Sequence, residues 1–255
     1  MSILCYHSVE PGWDHPLAID PETFDRQCAW LAHHRKILDL SQAVGLLNSR
    51  GCLPRHTCAL TFDDGFAALH DHALPVLTRY GLTATVFVVA ETLSAGGRAV
   101  DWVDNAPAYP LKTLTLQQVL EMQEAGVRFE SHSYSHHDLT GLDDRECEED
   151  LRASRELLEA LLGRPVPFLA YPRGRHDERV QRIAERAGYT HAFALPETAE
   201  PFGPYSVPRV GVYPANSMRI LKAKSSRWYL PVRTSRAYPL LGKMVRGGRK
   251  RVLLA

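Results

Sequence analysis

The sequence predicts an α/β fold built on a parallel sheet, and three observations predict it. Short apolar runs alternate with amphipathic stretches along most of the chain, the pattern of strands joined by helical crossovers. Seven or eight such strand–helix steps can be counted, which fits a barrel, although a doubly wound sheet produces similar alternation. The unusual polar residues fall just past the C-terminal ends of predicted strands, the edge where parallel α/β folds build their sites. A chain of 255 residues is a length that single α/β barrels commonly fill.

Each element has its own signal. Ser2–His7 reads as a buried strand. Glu22–Arg35 reads as a helix with Phe24, Cys28 and Leu31 on one side. Lys36–Leu40 is a short strand, and Ser41 is a suitable cap for the helix after it. Thr57–Phe62 is a strand running straight into Asp63-Asp64-Gly65, followed by a helix to about Tyr80 that Gly81 closes. Leu82–Ala90 is the clearest buried strand. Residues 91–114 read as loop. A helix begins at Thr115 and ends at Gly126, before a strand over Val127–Ser131. Asp143-Asp144-Arg145-Glu146 opens a helix with acidic residues in its first turn, and that helix reaches Gly163. Val166–Tyr171, Tyr189–Ala194 and Tyr205–Val212 are strands, Asp177–Ala187 is a helix, and Ser217–Trp228 is the last helix.

Composition excludes several classes. Hydrophobic residues make up 45% and charged residues 23% of the chain, so it is neither disordered nor collagen-like. The five cysteines form no CxxC pair, so free structural thiols are expected. No apolar run approaches the roughly 18–20 residues a membrane span needs. The opening MSILCYHSVEPGW lacks a basic segment followed by an apolar one, so no secretory leader is expected and the expected location is cytoplasmic.

The net charge of +1 hides an asymmetry. Residues 201–255 contain 12 Lys and Arg and no acidic residue, which leaves 18 basic against 29 acidic side chains in the first 200. The closing LLGKMVRGGRKRVLLA mixes basic and apolar residues. It suits either an anionic membrane surface, here the inner face, or a solvated tail folding back on its own acidic body. No nucleic-acid motif accompanies it, and no nucleic-acid partner is expected.

The chemistry lies at the strand ends. His132 and His136 are four residues apart, a spacing that puts two imidazoles on one face of a helical turn and within reach of one metal. Asp63 and Asp64 are adjacent, and strand neighbours point to opposite faces. Both serve one site only if the chain turns sharply, which Gly65 permits. One aspartate and two neutral imidazoles make a three-ligand set with positions left for water and substrate, and the second aspartate is then a general base. Such a set suits metal-assisted hydrolysis of an amide or ester.

TFDDG, then HSYSH, then AYPRG, in this order and spacing, resemble the polysaccharide deacetylase family, the NodB-homology group. ILCYHSV, LTATVFVV and the late VPRVGV add to the likeness, which covers residues 2–213 and resembles the variant subgroup with a YPxG third motif. The resemblance implies a distorted (β/α)7-type barrel over residues 1–213, with a terminal helix and basic tail over 214–255. It implies Asp63 as base, Asp64, His132 and His136 as metal ligands, and zinc as the metal, with another divalent transition metal as the alternative. It places the backbone N–H of Arg173 at the oxyanion and Tyr171 beside the substrate. Many relatives open the third motif with an arginine that orients the catalytic aspartate. Here that position is Ala170, so another group must hold Asp63. No Leu-x-x-His supplies the usual proton donor; His7, His70, His176 and His191 are candidates, and His7, at the end of the first strand, is the best placed. Trp102 and Trp13 lie in loops above the mouth, where an aromatic ring can stack on a sugar.

The expected function is removal of an N-acetyl or O-acetyl group from an amino sugar in a glycan or glycan precursor. The alternatives are a small-molecule amidohydrolase on the same barrel and a non-catalytic, metal-containing carbohydrate-binding protein.

Overall fold

The structure, a computed structural model, describes residues 2–94, 100–196 and 202–235. The chain opens with β1 (Ser2–Tyr6), the short pair β2 (Ser8–Val9) and β3 (Ala18–Ile19), and helix α1 (Pro21–His34). There follow β4 (Lys36–Ile37), α2 (Leu40–Arg50), β5 (Thr57–Phe62), α3 (Leu74–Arg79), β6 (Thr85–Val88), α4 (Leu116–Glu124) and β7 (Arg128–Ser131). The second half comprises α5 (Asp144–Leu162), β8 (Phe168–Ala170), α6 (Glu178–Arg186), β9 (His191–Ala194), β10 (Val207–Gly211), α7 (Met218–Lys224) and α8 (Tyr229–Arg233).

Seven of these strands close a parallel barrel in the order β1-β10-β9-β8-β7-β6-β5, with β5 pairing back onto β1. This is the (β/α)7-type barrel expected, not an open doubly wound sheet. β4 attaches to β5 outside the ring. Closure is tightest at the β1–β5 seam, which runs from Ser2 opposite Cys58 to Tyr6 opposite Phe62. The residues that follow, His7 and Asp63, therefore leave the barrel at one level, and the Asp63 N–H donates to the Tyr6 carbonyl at 3.0 Å.

Alternation along each strand divides the core in two. Leu4, Tyr6, Leu60, Phe62, Val86 and Val88 share one cluster with the surrounding helices. Ile3, Ala59, Phe87, Phe168, Phe193 and Val207 share another with Leu40, Ala43 and Val44 of α2. The same alternation that turns Val207 inward turns Arg209 inward as well.

Local chemistry sets the helix ends. Asp143 and Glu146 form a reciprocal capping box at α5, and Gly163 ends that helix in the left-handed region at φ 64°; Thr115 and Gln118 cap α4 in the same way. Each such cap stabilises by about 1 kcal/mol. α2 is capped by Asp39, whose carboxylate accepts from the Ser41 N–H, so Ser41 lies inside the helix it was expected to cap. The expected helix over Ser217–Trp228 is shorter, ending at Lys224, and α8 lies beyond its expected end. Pro231 sits in the first turn of α8, where its missing N–H has no helical partner to lose.

All five cysteines are free. No helix among the described residues is long and apolar enough to cross a membrane. Residues 236–255, which include most of the basic tail, lie outside the described residues.

Candidate active site

Asp63 and Asp64 follow the last residue of β5. Asp64 and Gly65 both adopt left-handed backbone, at φ 69° and 65°, and this turn lets two neighbouring carboxylates face one space. Gly65 is required twice over, since a Cβ there would also sit 2.8 Å from Cγ1 of Val88.

His132 and His136 converge on Asp64, but no helical turn brings them there. The segment after β7 is irregular, with Ser133 and His136 at φ 66° and 60°. The Ser133 hydroxyl accepts the His136 N–H at 2.9 Å. Asp150 on α5 accepts from the N–H groups of Tyr134 and Ser135, and from the Ser135 hydroxyl. Asp64 Oδ1 lies 3.2 Å from Nε2 of His136 and 3.7 Å from Nε2 of His132.

These three side chains fit a divalent cation. Their ligand atoms lie within 4.8 Å of one another, and all three residues are buried. The Ala170 carbonyl receives Nδ1–H of His132 at 2.8 Å, which leaves Nε2 as a bare lone pair facing Asp64. Burial, partly countered by Asp63, lowers the His132 pKa to about 4, so the ring is neutral as a ligand must be. Burial works against the Asp64 carboxylate, but the His136 hydrogen bond and charge overcome it and hold its pKa below the usual range. Trp102 completes the surround. Its indole N–H donates to Asp64 Oδ1 at 3.1 Å, and its ring stacks on His136 at 5.0 Å.

Asp63 is held by a residue that motif reading missed. Arg209, fully buried on β10, grips both carboxylate oxygens, with Nη1 2.6 Å from Oδ1 and Nη2 2.8 Å from Oδ2. Its guanidinium lies 5.1 Å from the centre of the Phe87 ring. Arg209 thus does from β10 what Ala170 cannot do from β8. A signal existed in VPRVGV, where a charge sits inside an apolar strand and must have a partner. Burial favours the neutral acid at Asp63, but the Arg209 charge, with help from His132, outweighs it and holds the carboxyl well below its ordinary range. The Cys5 thiol also points at Asp63, 3.3 Å from Oδ2.

A cavity of about 550 Å³ opens over this cluster, lined by Asp63, Asp64, His132, His136, His7 and Trp102 among others. Arg173 and Gly174 form its far wall. Arg173 has left-handed backbone at φ 58°, and Gly174 follows at 69°. A Cβ on Gly174 would meet Leu195 Cβ at 2.6 Å, so the glycine of the third motif lets this loop close against β9.

The other sequence candidates divide. Of the four histidines, only His7 lines the cavity, and its Nδ1 is buried with no hydrogen-bond partner. His70 is bound to Asp71 and Glu121, His176 to Gln181, and His191 to Asn48. Tyr171 does not reach the cavity. It is fully buried, its hydroxyl donates to the Tyr205 carbonyl at 3.0 Å, and it acts as packing behind the loop. Trp13 is also not a cavity wall. It is buried against Phe66 and stacks at 4.6 Å on His15, and it is His15 that faces the opening. An aromatic ring above a barrel mouth is as useful beneath the wall as on it, and sequence alone does not separate the two.

Comparison with known proteins adds an independent finding. The sequence profile of the polysaccharide deacetylase family matches residues 50–192. A Bacillus subtilis (strain 168) protein provisionally named polysaccharide deacetylase YxkH is 28% identical over 224 residues, 85% of this chain and 73% of that one. The poly-β-1,6-N-acetyl-D-glucosamine N-deacetylase of Staphylococcus epidermidis is 26% identical over 76% of this chain and 67% of its own length. Among solved structures, IcaB from Ammonifex degensii superposes with a TM-score of 0.72 at 25% identity, covering 88% of this chain and 96% of that one.

Proposed function

Since the chain belongs to the polysaccharide deacetylase family, we propose that it is a metal-dependent hydrolase that removes the N-acetyl, or alternatively O-acetyl, group of an amino sugar in a glycan or glycan precursor. The observation that carries this reading is the division of labour between adjacent carboxylates. Asp64 joins two buried imidazoles, while Asp63 is kept out of that set and kept ionised by Arg209. A protein that only held a metal or a sugar has no use for the second, tethered carboxylate, which speaks against the non-catalytic alternative.

Two imidazoles and one carboxylate suit zinc or another divalent transition metal; bound by Asp64, His132 and His136, such a cation would acidify a water and polarise the acyl carbonyl. The chain's own residues supply the rest. Asp63 accepts the water's proton; Arg209 keeps it aimed and unprotonated until then. The N–H of Arg173 is offered to the oxygen that gains charge as the carbonyl becomes tetrahedral, a job for backbone and not for a particular side chain. His7 is the group in the cavity suited to return a proton to the departing amine. Trp102 orients Asp64 with its N–H and leaves its ring edge at the opening.

The names of the Staphylococcus relatives support N-acetylglucosamine as the sugar. The basic and apolar mix of residues 236–255 supports contact with an anionic membrane surface, which would bring the barrel to a cytoplasmic, membrane-bound precursor.

The test is acetate release from a panel of N-acetylated chito-oligosaccharides and non-sugar N-acyl amides, with and without chelator. Release from the sugars that stops with chelator and returns with zinc is the expected result. Release only from the non-sugar amides would give the site to an amidohydrolase.

A further inference from the structure

A second cavity, of about 320 Å³, lies against the first and shares the Arg173 and Leu195 wall with it. Its lining carries five cationic side chains, Arg173, Arg175, Arg209, Lys224 and Arg233, and no Asp or Glu among the described residues. Two of these charges meet a carboxylate. Arg209 is neutralised by Asp63, and Arg175 pairs with Asp138 at 3.0 Å. Arg173 and Lys224 pair with no carboxylate among the described residues.

Lys224 is the unusual one. It is 5% exposed at the end of α7, and its Nζ donates to two neutral acceptors, the Gly211 carbonyl at 2.5 Å and Asn216 Oδ1 at 2.7 Å. The rings of Tyr213 and Tyr229 lie 4.9 and 5.8 Å from it. A buried ammonium held only by neutral oxygens and ring faces is costly unless an anion joins it. Burial, then the nearby Arg233, pull its pKa down to about 8, and the charge of a bound anion would offset both effects. Tyr213 also covers Gly211 so closely that a Cβ there would lie 2.4 Å from its hydroxyl. The sequence thus keeps this wall thin, beside the base-holding arginine.

We infer that this cavity is a subsite for an oxyanion, phosphoryl or carboxylate, carried by the glycan whose acetyl group enters the neighbouring active site. The inference rests on the deacetylase reading above and adds to it the charge of the substrate. An ammonium with a donor to spare and guanidinium forks match the several oxygens of such a group. Arg173 faces both cavities, so one residue offers its backbone to the acyl group and its side chain to the anion.

The test compares deacetylation of three soluble sugars, neutral N,N′-diacetylchitobiose, N-acetylglucosamine 1-phosphate, and N-acetylglucosamine linked to glucuronate. The wild-type protein should favour one charged sugar over the neutral one in kcat/KM, and the favoured arm identifies the anion. Lys224→Met and the half-buried Arg233→Gln should each cut that preference roughly 10- to 100-fold, the usual worth of a hydrogen bond to a charged group. A wild-type ratio near one, or a ratio that neither folded variant changes, overturns the subsite. Pyrophosphate binding, measured by calorimetry on the same proteins, reads the cavity without any turnover. Should no sugar release acetate, the deacetylase reading fails, and the titration still decides the cavity. Binding that weakens at least tenfold in both variants supports it, and the absence of wild-type binding removes it.

Discussion

Replacing Arg209 with methionine tests how the base is held. The side chain lies in the barrel lumen, so methionine fills much of its stem volume over Phe87 while removing two charge-assisted hydrogen bonds of 2.6 and 2.8 Å. Two consequences follow for Asp63, which is 2% exposed. Its carboxylate loses its counter-charge, and burial then acts unopposed. A buried carboxyl rises by up to about 3–5 pKa units, so Asp63 should move from well below the ordinary value of about 3.9 to near neutrality. In the wild-type protein Arg209 holds the Asp63 carboxyl well below its ordinary range, so Asp63 should contribute nothing to the acid limb of the rate profile above pH 5. In Arg209→Met it should create that limb. The assay is kcat/KM against pH from 5 to 9 on a soluble N-acetylated sugar, with metal content checked alongside. The expected result is an acid limb displaced upward by about two units or more, with rate recovering as pH rises. Arg209→Lys, which keeps the charge but loses the fork, should fall between. Stability follows with a definite sign. The depressed wild-type pKa stabilises the fold fully above the unfolded value of about 3.9, and that increment is lost as pH falls through the folded one. The variant should therefore melt furthest from wild type at neutral pH, where breaking a buried pair costs about 3–5 kcal/mol, and the gap should narrow as pH falls toward 4 and close only below it. A folded, metal-loaded Arg209→Met with an unmoved acid limb would refute the claim that this arginine keeps the base charged.

Other changes bear on single parts of the site. Asp63→Asn should keep metal and lose about 10²–10⁴-fold in rate; an asparagine variant of near-normal activity assigns the base elsewhere. His132→Ala should bind zinc far more weakly by elemental analysis after dialysis, and full occupancy would remove it from the ligand set. Gly174→Ala forces a Cβ to 2.6 Å from that of Leu195 on a left-handed backbone; it should lower kcat more than it raises KM, because the displaced loop carries the N–H proposed for the oxyanion. A variant with unaltered kcat argues against that role for Arg173. Removing residues 236–255, which spares α8, should weaken binding to vesicles containing anionic lipid and leave turnover of a soluble sugar intact; equal binding before and after would detach the tail from the membrane.

The amino-acid order alone determined the barrel class and pointed to the strand ends and to Asp63, Asp64, His132 and His136, which the structure brings around one cavity. These were legible because periodicity, glycine placement and motif spacing are local properties, written within a few residues of one another. Even there the local reason was incomplete. The histidines meet on an irregular loop with two left-handed residues, not on a helical turn, because Asp150 and the Ser133 hydroxyl hold that loop. Folding decided the pairings between distant residues. Arg209 reaches Asp63 across 146 positions because β1 lies between β10 and β5 in the closed ring, and alternation turns both side chains to the lumen. Tyr171 and Trp13 passed from expected substrate contacts to packing for the same kind of reason. Which side of a wall a ring occupies depends on everything packed behind it, and that arrangement exists only once the barrel has closed.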